Sequence, residues 1–143
     1  MYIKQISVFL ENKPGRLAAL TKALGEKGVD IIALSIADTS DFGILRCIVN
    51  KPDEALAVIR DAGFTASTTD VLAVEVQDRP GGLAEALQQL HEAGIAIEYI
   101  YSFVRKSSDR ALILFRVENN DAAMELFKRM GISTLSPEDI YQL

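Results

Sequence analysis

The 143-residue sequence contains one cysteine, one histidine and no tryptophan. A single cysteine excludes a disulfide framework within the chain, and one cysteine with one histidine cannot supply a tetrahedral zinc site. Cys47 lies in an apolar strand, which is typical of a small buried residue, and His91 has no evident base or orienting acid. No glycine-rich phosphate loop follows a strand. We therefore predict no catalytic residue, no metal and no cofactor, and the cysteine content fits a reducing cytoplasm.

Positive charge is also scarce, with 15 Lys and Arg against 20 Asp and Glu and a net charge of −5. Nucleic acids and anionic membrane surfaces attract basic proteins, so both partners are disfavoured. No apolar run approaches the roughly 20 residues of a membrane-spanning helix, and the N-terminus lacks the pattern of a signal peptide. Hydrophobic residues make up 49% of the chain, which is enough for a packed core. We expect a folded protein that binds neither nucleic acid nor membrane.

An internal repeat organises the chain. Val8–Ile31 aligns without a gap with Val74–Ile97, and nine of the 24 aligned positions are identical. Later in the repeat Gly63 corresponds to Gly131, so the second copy has gained two residues by that point. We place these two additional residues in a turn around Lys106–Asp109.

Each copy has the pattern of strand, helix, strand, strand, helix, strand. Apolar residues at helical spacing predict two helices per copy, each closed by glycine. The pattern predicts an α+β protein with two tandem ferredoxin-like domains, residues 1–70 and 71–143, in which both helices cover one face of an antiparallel sheet. The segment Ser136–Asp139 resembles a helix start, so a short terminal helix is expected.

The most faithfully repeated feature is the turn between the first strand and the first helix. It comprises Asn12, Pro14, Gly15, Arg16 and Leu17 in the first copy and Asp78, Pro80, Gly81, Gly82 and Leu83 in the second. Proline presets helix entry, glycine lets a ligand approach the backbone, and unpaired N–H groups at a helix start attract a carboxylate. The side-chain oxygen of Asn12 or Asp78 can accept a hydrogen bond from an ammonium group. This chemistry matches an α-amino acid, although the same residues are also common in plain turns and caps.

The segments ENKPGRLAALTKALGEKGVDI, beginning at Glu11, and DRPGGLAEALQQLHEAGIAI, beginning at Asp78, resemble the opening of ACT domains. The first is similar to the serine-binding regulatory domain of phosphoglycerate dehydrogenase. The resemblance implies two tandem ACT domains, paired side by side, with amino-acid sites between domains that pair through their second strands. Leu10 and Val76 stand where serine-binding relatives carry a histidine, which disfavours serine itself.

The resemblance also assigns individual positions. Asn12 matches the asparagine of the family's loop, and Asp30 matches an asparagine at the entry to the second strand that contacts the ligand from the adjacent domain. The corresponding residues of the second copy are Asp78 and Ala96. If the copies pair, Asp78 faces Asp30 in one site and Asn12 faces Ala96 in the other, so the two sites are not equivalent.

We interpret the chain as a non-enzymatic regulatory protein that binds an amino acid and signals to a metabolic enzyme or regulator. The alternative is a small regulatory or assembly subunit whose domains bind no ligand. An RNA-binding module of the same topology would need stacking aromatic residues on the central strands within a basic surface, whereas the central strands here are the largely aliphatic Ile44–Val49 and Ala111–Val117 and the net charge is −5.

A homodimer is expected from the strands. Ala111–Phe115 is apolar at every position, and much of Ile44–Val49 is too. Tyr99, Tyr101 and Phe103 add an aromatic stripe at strand spacing. Because both helices are expected on one face of each sheet, a monomer would expose this apolar surface, and a second copy of the chain is the simplest cover.

Overall fold

The computed structural model describes residues 2–38, 41–103 and 110–143. In chain order the elements are β1 (Ile3–Glu11), α1 (Arg16–Glu26), β2 (Ile31–Asp38), β3 (Phe42–Val49), α2 (Pro52–Asp61), β4 (Thr65–Gln77), α3 (Gly82–Glu92), β5 (Ile97–Ser102), β6 (Arg110–Val117), α4 (Asn120–Arg129), β7 (Thr134–Leu135) and α5 (Pro137–Tyr141). The predicted α+β fold with two βαββαβ repeats is confirmed. Strand β4 is continuous, so it is both the last strand of the first copy and the first strand of the second.

The chain divides into two compact units. The first unit is Lys4–Thr69 with Tyr141–Leu143, and the second is Asp70–Ile140 with the N-terminal residues up to Ile3. In the first unit β3 is central, because it pairs antiparallel with both β1 and β2. The register sets Phe9 opposite Ile44 and Glu11 opposite Phe42.

Helices α1 and α2 contact each other and bury their apolar stripes on one face of the first sheet. Leu20 and Leu24 of α1 and Ile59 of α2 are fully buried, which is the outcome that the helical spacing predicts. They pack with alternate residues of β1 and β3, among them Val8 and Cys47. The alternation follows from the period of two along a strand.

The second unit repeats this plan with β6 between β4 and β5, and β7 adds a short pairing to β4. Its core contains an edge-to-face pair, Phe115 and Phe127, with ring centroids 5.8 Å apart. Strand β5 begins 66 positions after β2, as in the first alignment. Strand β6 ends at Val117, 68 positions after the end of β3 at Val49. The two additional residues therefore lie between β5 and β6 as predicted. The turn expected at Lys106–Asp109 lies outside the described residues.

The expected terminal helix is α5. Ser136 and Asp139 cap it reciprocally: the Asp139 N–H donates to Ser136 Oγ at 3.2 Å, and the Ser136 N–H donates to Asp139 Oδ2 at 3.2 Å. This is the side-chain to backbone exchange that a serine followed three residues later by an acid makes possible.

Two expectations about surfaces are wrong. Leu112, Leu114 and Ile48 are 3%, 0% and 0% exposed in a single chain, so the apolar third strands do not by themselves require a partner. The second strands also do not pair with each other within the chain. In the part of the chain that the structure describes, β2 is hydrogen-bonded only to β3 and β5 only to β6. Each second strand therefore keeps one unpaired edge.

Candidate functional site: the two strand-to-helix loops

The loops before α1 and α3 are type II turns. In the first loop the Arg16 N–H donates to the Lys13 carbonyl at 3.4 Å, and in the second the Gly82 N–H donates to the Arg79 carbonyl at 3.0 Å. Gly15 has φ 87° and ψ −9°, and Gly81 has φ 85° and ψ −9°, values that the third position of a type II turn requires. The prolines occupy the second position, where their fixed φ fits.

This geometry corrects the expected place of the prolines, because Pro14 and Pro80 lie before the helix cap and not at the first helical position. The turn requires the positive φ of Gly15 and Gly81, and the approach of a ligand to their backbone stays a prediction. Because glycine itself is the N-cap of both helices, the cap position has no side chain to accept from the first turn. The first N–H groups of each helix lie at its positive end, where an anionic ligand can replace the missing cap.

The second-copy loop borders a cleft of about 300 Å³. Its lining residues are Gln77, Asp78, Arg79 and Arg110. Arg110 begins β6 and lies opposite Gln77 in the strand register, which brings residue 110 beside the loop. Arg110 carries no signal of this placement in the sequence, because only the strand pairing brings residue 110 beside residue 77.

A second cleft, of about 260 Å³, shares Gln77 and Arg110 with the first and so lies directly beside it. It is lined by Glu75, Val76, Gln77, Gly82, Glu85, Ala86, Arg110, Met130, Gly131 and Ile132. Gly82 is buried here, and a β-carbon at this position would lie 2.0 Å from the Gln77 carbonyl oxygen. The absence of a side chain is thus a requirement of the turn in this copy. Leu83 packs partly against the core of the second unit.

Charged side chains that line these two clefts form ion pairs and a hydrogen bond with one another. Arg79 Nη2 lies 2.7 Å from Glu85 Oε1, and the Arg79 Nε–H donates to Gln77 Oε1. Arg110 Nε lies 3.8 Å from Glu75 Oε2, which is too long for a hydrogen bond. The side chain of Glu75 is only 21% exposed, whereas that of Glu85 is 66% exposed.

The first-copy loop has different surroundings. A cleft of about 370 Å³ in the first unit is lined by Phe9, Phe42, Ile44 and Thr65. Apolar Phe9 and Phe42 occupy the positions of Glu75 and Arg110 in the second copy. Arg16 turns its guanidinium over the ring of Phe64, 4.4 Å from the centroid. Leu17 is 36% exposed.

An ion pair spans the end of β1 and the first-copy loop. Lys13 Nζ lies 3.0 Å from Glu11 Oε2. The hydrogen bond and the positive charge of Lys13 hold the pKa of the Glu11 carboxyl below its ordinary value.

Asp30 lies at the other end of the first unit from Asn12. The two residues flank α1, whose 11 residues span about 16 Å at the usual rise. The Asp30 N–H donates to Asn50 Oδ1 at 2.9 Å, and the Asp30 carbonyl accepts from the Asn50 N–H at 3.1 Å. Its own unit therefore does not bring Asp30 to the Asn12 loop.

The histidine and the cysteine, which are the side chains most often used in catalysis and metal binding, lie apart from the loops described above. His91 is exposed in the last turn of α3. Cys47 is fully buried, and burial raises the pKa of its thiol to about 12, which keeps it protonated and unreactive. Among the described residues there is no group of three or more metal-ligating side chains, and no helix there is long and apolar enough to cross a membrane.

Comparison with known proteins identifies the domain family. The family model of the ACT domain pair matches residues 1–143. The solved structure of protein BT0572 from Bacteroides thetaiotaomicron is 39% identical, has a TM-score of 0.94, and covers 100% of this chain and 98% of its own. The regulatory subunit of aspartate kinase from Thermus thermophilus is 22% identical, with a TM-score of 0.65 over 88% of this chain and 91% of that one. No curated protein sequence matches this chain significantly.

Proposed function

Because this chain belongs to the family of ACT domain pairs, we propose that it is a non-catalytic regulatory protein that binds an amino acid and signals to a metabolic enzyme or regulator. The buried, protonated thiol of Cys47 and the isolated, exposed His91 support the absence of catalysis. One free cysteine suits the cytoplasm. The regulatory subunit of aspartate kinase shares the fold, which supports a regulatory use of the frame.

The observation that carries the proposal is the pair of opposite charges in the 300 Å³ cleft of the second copy. Asp78 accepts hydrogen bonds from the α-ammonium group of the ligand. Arg110 donates to the α-carboxylate, to which a guanidinium can bind in bidentate fashion. The positive end of α3, reached past Gly81, adds a favourable field for the same carboxylate.

The first copy offers a weaker site for the same ligand. Strand register makes Phe42 the equivalent of Arg110, and the repeat makes Asn12 the equivalent of Asp78. Neither charge of the second-copy pair is therefore present. We propose that the ligand binds at the second-copy loop, so that the two loops are not equivalent in function.

A thermal-shift screen against the common amino acids tests this function. A ligand at about 100 times its dissociation constant stabilises the folded protein by about 2.7 kcal/mol, which raises the Tm by several degrees at this size. Asp78→Ala should remove the shift, and Asn12→Ala in the first copy is the matched control that should retain it. If no amino acid shifts the parent protein, the alternative holds and the chain is a ligand-independent assembly subunit.

We also propose a homodimer. Five exposed apolar side chains belong to the first unit: Phe9, Leu17, Leu34, Ile36 and Phe42. Leu34 and Ile36 lie on β2, whose outer edge is unpaired in the described structure, so a second copy can bind there and bring its own residues to the loops. Such a partner, and not its own unit, would supply Asp30 to a loop.

Light scattering at micromolar concentration tests the dimer. The expected mass is twice the 15.7 kDa of the chain. Ile36→Lys should lower it, since a charge at an apolar edge opposes pairing. A parent mass of one chain, with and without amino acids, contradicts the homodimer but leaves the binding proposal standing.

A further inference from the structure

The guanidinium of Arg79 bridges the turn of the second-copy loop. Its Nη2 lies 2.7 Å from Glu85 Oε1 in the first turn of α3. On the other side of the turn its Nε–H donates to Gln77 Oε1, and its Nη1–H donates to the Pro80 carbonyl at 3.3 Å. One side chain thus joins the end of β4 to the start of α3.

These contacts place the guanidinium beside Gly81. A β-carbon on Gly81 would lie 4.0 Å from Arg79 Nη1, which is van der Waals contact. Gly81 is the residue past which we propose that the ligand carboxylate reaches the positive end of α3. A cation therefore lies beside that path, and a carboxylate of the chain itself, that of Glu85, already binds it.

The first copy provides an internal comparison. Its basic residue at the equivalent position, Lys13, pairs with Glu11 and not with the helix. Among the described residues, a β-carbon on Gly15 would meet no atom within 4 Å beyond its chain neighbours. Ala19 stands where the second copy has Glu85 and cannot form an ion pair. The contact across the turn is therefore a feature of the second copy, in which we propose that the ligand binds.

We infer that Glu85 is a built-in competitor of the ligand: its carboxylate occupies Arg79 in the free chain, and the α-carboxylate of the bound amino acid takes its place. This inference rests on the proposed function, because it requires an amino acid at this loop. The exchange replaces one charge-assisted hydrogen bond to Arg79 with another. Because the side chain of Glu85 is 66% exposed, the released carboxylate is hydrated by water and the exchange costs little. The contact lowers the affinity of the loop without closing it.

Calorimetric titration of the full chain with each of the common amino acids tests the inference. Glu85→Gln frees Arg79, so we expect it to bind an amino acid about two- to fivefold more tightly than the parent does, the range that loss of an exposed ion pair allows. Arg79→Gln removes the contested group, so this variant and the double variant should bind equally weakly. Glu125→Gln is the control, because it removes the same charge from an exposed position of α4 that lines neither cleft.

The outcomes separate this inference from the proposed function. Tighter binding by Glu85→Gln that disappears when Arg79 is also replaced, with the control unchanged, supports the inference. Unchanged or weaker binding by Glu85→Gln overturns it while amino-acid binding stands. A gain that persists in the double variant, or that Glu125→Gln reproduces, reflects only the loss of one negative charge and overturns it too. If none of the common amino acids binds to the parent or to Glu85→Gln, the proposed function fails as well.

Discussion

The substitution Gly82→Ala tests the tight turn on which the second-copy clefts depend. The added β-carbon would lie 2.0 Å from the carbonyl oxygen and 3.1 Å from the carbonyl carbon of Gln77. Both atoms belong to the backbone, so no side-chain rotation relieves the contact and the turn itself must open. The first copy tolerates Arg16 at the equivalent position, and its turn is wider, with an N···O distance of 3.4 Å against 3.0 Å.

The expected loss of stability follows from two opposing terms. Overpacking costs about 1–3 kcal/mol, and a contact this short with backbone belongs at the upper end of that range. Alanine recovers about 0.5–1 kcal/mol relative to glycine in a helix. We therefore expect a net loss of about 2 kcal/mol, which lowers the Tm by about 4–8 °C for a chain of this length.

Calorimetric melting of Gly82→Ala beside Gly25→Ala provides the assay. Gly25 lies in the last turn of α1, and a β-carbon there meets no atom within 4 Å. Gly25→Ala should therefore gain about 0.5–1 kcal/mol and melt above the parent protein. If Gly82→Ala also melts above the parent, the close approach to Gln77 is not a constraint and the reasoning is refuted.

Three further predictions concern the core and its titrating groups. The hydrogen bond from the Tyr2 hydroxyl to Asp121 raises the pKa of Tyr2 to about 12, so this stabilisation is complete below pH 10 and is lost as pH rises toward 12. Chemical denaturation across that range should show the loss in the parent protein and a smaller one in Tyr2→Phe, and equal losses would contradict the bond. The Cys47 thiol, with its pKa raised to about 12 by burial, should react with a thiol reagent only in denaturant, and rapid labelling of the native protein would show that it is accessible. Phe127→Ala should cost about 3–5 kcal/mol because it leaves a cavity against Phe115, and a loss below about 1 kcal/mol in a denaturant titration would be inconsistent with this core.

The fold could be predicted from the sequence because its signals are local and duplicated. Apolar spacing marked all four long helices, and each copy repeated the signals of the other. The sequence located the Pro-Gly turns correctly but did not predict their conformation, since only the positive φ of Gly15 and Gly81 in the structure shows a type II turn ahead of the helix.

The candidate site was harder to predict because strand register assembles it. Arg110 is separated from Asp78 in the chain by α3 and β5, and it borders the loop only through its pairing with Gln77. The apolar pattern of β3 and β6, the third strand of each copy, also led to a wrong expectation about their exposure. Leu112 and Leu114 face away from the helices and are nevertheless buried, because alternation identifies the two faces of a strand without identifying what covers each face.

Amino-acid binding at the second-copy loop is tested most directly by backbone-amide NMR of the isotope-labelled chain. The chain is titrated separately with each of the common amino acids. We predict saturable shifts of the amide signals of Asp78, Gly81, Gly82 and Leu83, with little change at the equivalent first-copy positions, and their loss in Asp78→Ala. Saturable shifts confined to the first-copy loop, or no saturable shift with any amino acid, would contradict the assignment of the second-copy loop as the binding site.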